Sequence, residues 1–320
     1  MLEKELFKEI KKIKITESPI AIQIPEGLKQ YSLKILDAFK KNKPSLFIDP
    51  CYGACDTKDL EAKYLGFKVL IHFGHYKMNS QKIKTYFIPI NYKLKKEQIK
   101  YIIKNILKLN FKKINLVTTI QYIENIKEIK NKLKKQKIQI IDAKKTKRVI
   151  KHMVLGCDST TITDTKNPII FIGDGVFHIN NIAFIYKNQQ IITINPITKK
   201  IKKIEITDEF IRQRYVNIAL ARKAEKFAIL VSTKKGQNRM GIAIKIKKFI
   251  ETKNKKAYIL ISDYIKQEYL YGIKVDCFIN TACPRITYDD YKQFKKPIIS
   301  VTEIENVFDL KKELKIDQII

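Results

Sequence analysis

Ile20-Ala21-Ile22-Gln23-Ile24-Pro25-Glu26-Gly27 is a nearly continuous apolar run stopped by proline and glycine, and behind it Leu28, Tyr31, Ile35 and Phe39 recur at the spacing of one helical face. The pair predicts a buried strand followed by an amphipathic helix. Ahead of it, Leu2, Leu6, Ile10 and Ile13 mark another helix, and after it Leu46-Phe47-Ile48 marks a second strand. The same order returns in the middle of the chain. A helix around Glu97 to Leu109 precedes the strand Ile114-Asn115-Leu116-Val117, a helix spans about Ile123 to Lys135, and strands lead to Met153-Val154-Leu155-Gly156-Cys157. The last third has a helix near Asp208 to Lys223, the strand Phe227-Ala228-Ile229-Leu230-Val231 and a helix from Met240. Strands at Ala257-Tyr258-Ile259-Leu260-Ile261 and Cys277-Phe278-Ile279 follow. Apolar strands separated by helices predict parallel sheets covered on both faces. The fold expected is α/β, with three repeated Rossmann-like domains at residues 1–93, 94–198 and 199–320 around a central pseudo-threefold site.

The 320 residues suffice for several compact domains, and 45% apolar residues is ordinary for a folded protein. The charged N-terminus and the lack of a run of about 20 apolar residues predict a cytoplasmic protein without a membrane segment. The net charge of +32 comes mostly from lysine spread along the whole chain. Such a distribution predicts solvated surfaces everywhere rather than a dedicated nucleic-acid groove, although a basic RNA-binding protein stays open as an alternative.

Four of the five cysteines stand in three motifs: Asp49-Pro50-Cys51-Tyr52-Gly53-Ala54-Cys55-Asp56, Leu155-Gly156-Cys157-Asp158 and Asn280-Thr281-Ala282-Cys283-Pro284-Arg285. A reducing cytosol argues against disulfides. Each motif follows an apolar run, and open parallel sheets bind ligands beyond the carboxyl ends of their strands. Structural zinc ordinarily takes four ligands in paired Cys-x-x-Cys knuckles, which this chain lacks. Three soft thiolates meeting at one point would favour an iron–sulfur cluster with one iron lacking a protein ligand, a place for S-adenosylmethionine or a carboxylate substrate. Cys51 and Cys55 open the common radical S-adenosylmethionine motif, but its third cysteine would fall at Lys58, which disfavours that enzyme class. Burial as a small hydrophobe remains open for each cysteine and is the expectation for Cys277.

Supporting positions follow from turn chemistry. Arg285 can clamp a carboxylate or close a helix start with an ion pair. Gln237 ends a glycine-containing turn, and Gly173 and Gly175 allow close backbone approach or simply a tight turn. Glu26 and Asp158 can face a ligand or cap a helix. His178 can hydrogen-bond substrate or serve the fold. His72 and His75 flank Phe73-Gly74 and suggest a metal, with no third ligand nearby.

With Ile24-Pro25-Glu26-Gly27-Leu28, Gly173-Asp174-Gly175-Val176-Phe177-His178 and Ser232-Thr233-Lys234-Lys235-Gly236-Gln237 added to the cysteine motifs, the whole chain resembles a known family. It is similar to the archaeal, homodimeric form of the 3-amino-3-carboxypropyl transferases that begin diphthamide synthesis on elongation factor 2. The one small departure is Ile179 after His178, where the resemblance expects proline. The resemblance implies three α/β domains that each give one cysteine to a [4Fe-4S] cluster, which here are Cys55, Cys157 and Cys283. It implies S-adenosylmethionine as co-substrate, held by candidates among Gln237, Arg285, Gly173 and Gly175. It further implies cleavage of the bond from sulfur to the γ-carbon, a non-canonical radical reaction that attaches the fragment to carbon 2 of a histidine and leaves methylthioadenosine. Elongation factor 2, a second copy of the chain and an electron donor are the implied partners. The rival enzyme is of the quinolinate synthase type, with a similar three-unit plan and Lewis-acid dehydration.

Overall fold

The computed structural model describes residues 2–174, 177–309 and 313–320. It contains three sheets. The first has β1 (Ile20–Gln23), β2 (Pro44–Phe47), β3 (Val69–Phe73) and β4 (Lys84–Ile88). The second has β5 (Lys113–Thr118), β6 (Gln139–Ile140), β7 (Ile169–Ile172), β8 (Ile191–Ile194) and β9 (Ile201–Ile204), and the third has β10 (Lys226–Ser232), β11 (Lys256–Ser262), β12 (Cys277–Asn280) and β13 (Ile298–Ser300). Their orders are β2-β1-β3-β4, β6-β5-β7-β8-β9 and β11-β10-β12-β13, so each sheet sets its first strand between its second and third. The strands of the first and third sheets pair in parallel, as do β6, β5, β7 and β8. This is the repeated, parallel α/β plan expected from the periodicity. The second sheet runs past residue 198 because Asn195 turns the chain there, its side chain accepting from the amides of Ile197 and Thr198, and β9 returns beside β8.

The described residues fall into two compact units. One holds residues up to 154, 160–174 and 189–203, and the other holds 155–159, 177–188 and those from 204 onward. In the first unit, Ile20 and Ile22 of β1 and Val69, Ile71 and Phe73 of β3 share a face with Leu6, Ile10 and Ile35 from helices, while Ala21 and Leu70 on the opposite face meet Ala62. Ile114 and Leu116 of β5 lie in one core with Ile99, Ile102 and Ile106 of the helix Lys96–Lys108 and with Ile126, Ile129 and Leu133 of the helix Ile126–Lys135. In the other unit, Phe227, Ile229 and Val231 meet Ile218, Ala243 and Ile250 on one face, and Ala228, Leu230 and Phe278 meet Leu270 and Val275 on the other. Burial on both faces explains the lack of polar alternation, and each isoleucine so covered contributes roughly 1.5–3 kcal/mol.

Two expected strands differ. Leu46-Phe47-Ile48 is expected as a buried strand, but β2 is an edge strand of its sheet, its outer flank paired with no strand among the described residues, and Ile48 is 76% exposed. Met153-Val154-Leu155-Gly156-Cys157 is no strand. Met153 makes a single bridge to Thr118 of β5, after which Leu155 and Asp158 close a tight turn.

His152 fixes the start of that segment. It adopts a left-handed backbone, φ 69°, donates from Nδ1 to the Leu116 carbonyl at 2.7 Å, and accepts at Nε2 from Lys130 at 2.9 Å. Burial holds its pKa below the ordinary 6.5, against the raising effect of the Leu116 carbonyl. Below pH 6.5 the unfolded chain therefore binds a proton that the folded one resists, so this contribution to stability is complete above pH 6.5 and is lost as pH falls. The slope from one such group is at most about 1.4 kcal/mol per pH unit. Chemical denaturation between pH 7.5 and 5 is expected to show a shallower decline in His152→Asn, since asparagine tolerates the left-handed backbone and does not titrate. An identical slope in both proteins would exclude His152 as a source.

Candidate metal centre

In a parallel sheet the carboxyl ends of all strands share one edge, and in the third sheet two loops leave that edge from the adjacent strands β10 and β12. The loop after β12 carries Cys283, which caps the short helix Pro284–Tyr288 with Pro284 in its first turn. Asn280 shapes this loop. Its Nδ2 donates to the Cys283 carbonyl at 2.8 Å and to Thr287 Oγ1 at 2.9 Å, and its Oδ1 accepts from the Ala282 amide at 2.9 Å. The loop after β10 carries Gln237, buried, and Arg239, whose Nε and Nη2 donate to the carbonyls of Thr281 at 2.6 Å and Ala282 at 3.0 Å. Arg239 thus ties the glutamine turn to the cysteine loop.

The same guanidinium makes a bidentate pair with Asp317, at 2.8 and 2.6 Å. The segment around Asp317 reaches Cys157: the Ile319 amide donates to the Cys157 carbonyl at 3.0 Å, and Gln318 Oε1 accepts from the Ser159 amide at 3.0 Å. The Asp317 amide in turn donates to Tyr288 Oη at 2.8 Å. One largely covered arginine thus links the loops that carry both cysteines. Burial raises the Asp317 pKa, and Arg239 acts against that rise. Arg239→Ala is expected to cost about 2–4 kcal/mol, the scale of stripping a buried carboxylate of its partner. It should also speed alkylation of Cys157 and Cys283 severalfold, read by peptide mass mapping of iodoacetamide-treated protein. Unchanged labelling would show that the arginine does not hold these loops.

Cys157 and Cys283 both bear on Arg285. Burial lowers the Arg285 pKa to about 10, while Cys283, Asp290 and Cys157 act to raise it. The guanidinium is paired with Asp289 and stays protonated at neutral pH. A fixed cation therefore lies beside both thiols.

Cys55 belongs to the other unit. It lies in the loop after β2, at the carboxyl edge of the first sheet. Gln23, at the end of β1, anchors that loop: its Nε2 donates to the Asp56 carbonyl at 2.7 Å and its Oε1 accepts from the Lys58 amide at 3.1 Å. The five cysteines are thiols, and Cys277 is fully buried in the third-sheet core with its pKa pushed up by burial.

Of the other predicted residues, Gly173 follows β7. It lies in the first unit, where a Cβ would come 2.9 Å from the Phe171 ring. Gly175 lies outside the described residues. Glu26 is exposed and pairs with Lys29 at 2.7 Å, the helix-start role. Asp158 is buried in the Cys157 turn, and His178 lies in the helix Phe177–Ile185. Sequence reading missed Gln23, Asn280, Arg239 and Asp317. Asn280 beside Cys283 offered a local hint, but the others act across 33 to 78 residues and leave no periodic signal.

Thiols on rigid backbones next to a buried guanidinium suit the soft donor set of an iron–sulfur cluster better than an oxygen-seeking cation. Residues 24–319 match the family described as "Putative diphthamide synthesis protein". The chain belongs to the diphthamide synthesis family. Among relatives, the 2-(3-amino-3-carboxypropyl)histidine synthase of Pyrococcus horikoshii is 32% identical over 99% of this chain and 92% of its own length. The protein of the same name from Methanocaldococcus jannaschii is 32% identical over 98% and 91%. The fold agrees with this membership. The crystal structure of Dph2 from Pyrococcus horikoshii with a 4Fe-4S cluster superposes with a TM-score of 0.87 at 30% identity, covering 99% of this chain and 93% of that one. Among the described residues of this family member, no helix is long and apolar enough to cross a membrane.

Proposed function

We propose that the protein transfers the 3-amino-3-carboxypropyl group of S-adenosylmethionine to carbon 2 of a histidine in elongation factor 2, the first step of diphthamide synthesis. The supporting observation is the placement of Cys157 and Cys283 about Arg285, in a chain similar along 99% of its length to a Dph2 crystallised with a 4Fe-4S cluster. Cys55, Cys157 and Cys283 are the proposed cluster ligands. When bound, such a cluster supplies one electron and an iron without a protein ligand.

The chain's own residues supply orientation. Arg239 and Asn280 hold the Cys283 loop, and the Arg285 cation offsets thiolate charge or receives the substrate carboxylate, with Gln237 at the same sheet edge. One electron entering the bond from sulfur to the γ-carbon leaves methylthioadenosine as a neutral thioether and a carbon radical on the transferred fragment. Addition to carbon 2 of the imidazole, then loss of one proton and return of one electron, equal to the one that entered, restores the aromatic ring and leaves the transfer redox-neutral. Orientation decides which carbon–sulfur bond breaks, so no general base is required for cleavage. A homodimer working in the cytoplasm with a separate electron donor completes the proposal.

The test is anaerobic reconstitution with iron and sulfide, reduction with dithionite, and addition of S-adenosylmethionine with and without elongation factor 2. Methylthioadenosine and a modified histidine are expected. Deoxyadenosine as the product would contradict the proposed cleavage.

A further inference from the structure

The site above uses one thiol of the Cys51–Cys55 loop. The other, Cys51, is buried at a point where the end of β3 brings two imidazoles. Ligand atoms of Cys51, His72 and His75 all lie within 4.8 Å of one another, and His72 Nε2 is 2.9 Å from His75 Nδ1. We propose that Cys51, His72 and His75 form a second metal site, for a zinc-type divalent cation, that ties the cysteine loop to the end of β3. The proposal stands whether or not the transferase reading does.

Three features suit metal binding. First, the tautomer of His72 is set. Its Nδ1 lies 2.9 Å from Gln23 Oε1, an atom that only accepts, so Nδ1 carries the proton and Nε2 presents its lone pair toward His75. Gln23 is itself fixed by the Asp56 carbonyl and the Lys58 amide. A ligating imidazole whose far nitrogen donates to a fixed oxygen is the usual outer arrangement of a metal site. Second, the donor atoms face one another away from bulk water: Cys51 and His72 are buried, and His75 is partly buried beside them. Third, the backbone is built to return His75 onto His72. Gly74 between them has φ +84°, and a Cβ there would lie 2.8 Å from Pro25, so only glycine makes this turn.

The distances require little movement. Bonds of about 2.0–2.1 Å to nitrogen and 2.3 Å to sulfur in a tetrahedron place the nitrogens roughly 3.3 Å apart and sulfur about 3.6 Å from each. The two rings need to part by a few tenths of an ångström and Cys51 Sγ to approach by at most about 1.2 Å. On binding, the proton now between the imidazoles moves to His75 Nε2. The Cys51 thiol proton leaves for solvent, so one proton is released per ion. Three protein ligands leave a fourth position for water. Cys/His₂ donors select zinc over magnesium or calcium, which need oxygen.

The test uses the full chain, tag removed, in two preparations. In the reconstituted protein exposed to zinc and then dialysed, metal analysis should find one zinc per chain beside the iron, and His75→Ala and Cys51→Ser should lose the zinc while keeping the iron. In Cys55→Ala/Cys157→Ala/Cys283→Ala, Co²⁺ alone should give a tetrahedral spectrum with a sulfur charge-transfer band at one equivalent, displaced by Zn²⁺. That band should be absent when Cys51→Ser is added. Gln23→Leu should weaken Co²⁺ binding about 10- to 100-fold. Zinc content equal in the parent, His75→Ala and Cys51→Ser, no zinc in the parent, or a six-coordinate cobalt spectrum each overturns the site. If the triple variant does not fold, the zinc analysis of the reconstituted protein decides alone.

Discussion

Alanine at Cys55, Cys157 or Cys283 is expected to leave a folded chain with little iron and methylthioadenosine formation at or near background. Disturbing only the outer partners of a metal ligand already costs 10- to 100-fold in affinity, and removing one of three protein thiolates costs more. Cys277→Ala is the internal comparison. That thiol is fully buried among Phe227, Ile229 and Ile279, so its loss should lower the melting temperature and leave the iron content unchanged. Iron per chain after anaerobic reconstitution, with circular dichroism to confirm folding, separates the two classes. Full iron content in any of the three alanine variants would remove that residue from the proposed ligand set.

The largest effect on stability is expected from Arg214→Ala. Arg214 and Glu303 are both completely buried, joined by two hydrogen bonds of 2.7 Å, and the guanidinium also donates to the carbonyls of Thr287 at 3.0 Å and Ile298 at 2.9 Å. Burial works against the charge of Arg214, and Glu303 more than offsets it, so the pKa ends above its ordinary value. Glu303 also accepts from the Ser300 amide at 2.7 Å. Removing the arginine strands a buried carboxylate and two carbonyls, a loss of about 3–5 kcal/mol, or roughly 6–15 °C in melting temperature. The double change Arg214→Met with Glu303→Leu should recover part of the loss, because the penalty comes from the orphaned charge. A loss below about 1 kcal/mol for Arg214→Ala would mean that water reaches Glu303.

The periodicity of isoleucine made most of this architecture legible. Ile99, Ile102 and Ile106 on one helix and the unbroken runs of β7 and β10 are local patterns that only covered parallel strands satisfy. Local pattern does not say where a strand sits in its sheet, which is why the edge position of β2 was missed. Nor did it show that the motifs are inequivalent. Cys55 and Cys157 lie between the second and third strands of their sheets, whereas Cys283 lies between the third and fourth. The chemistry of the cysteines could be read because thiols beside glycine, proline and arginine are unusual in sequence. Their supports could not, because Gln23, Arg239 and Asp317 are single polar residues whose partners are distant in the chain. The Cys51, His72 and His75 cluster shows the same limit, with the third ligand supplied by another strand's loop.

The five residues Leu155–Ser159 pack with the unit of the third sheet although the chain on either side of them belongs to the other unit. Genetic dissection at the obvious border near residue 204 would therefore part Cys157 from Ile319 and Gln318, which help to hold its turn. A fragment carrying only the last sheet would own a single motif thiol, and its complement would carry Cys157 on a turn stripped of its Ile319 and Gln318 partners. Cutting and recombining modules of this protein cannot treat its sheets as separable cassettes, since a borrowed loop makes the two units one heritable piece.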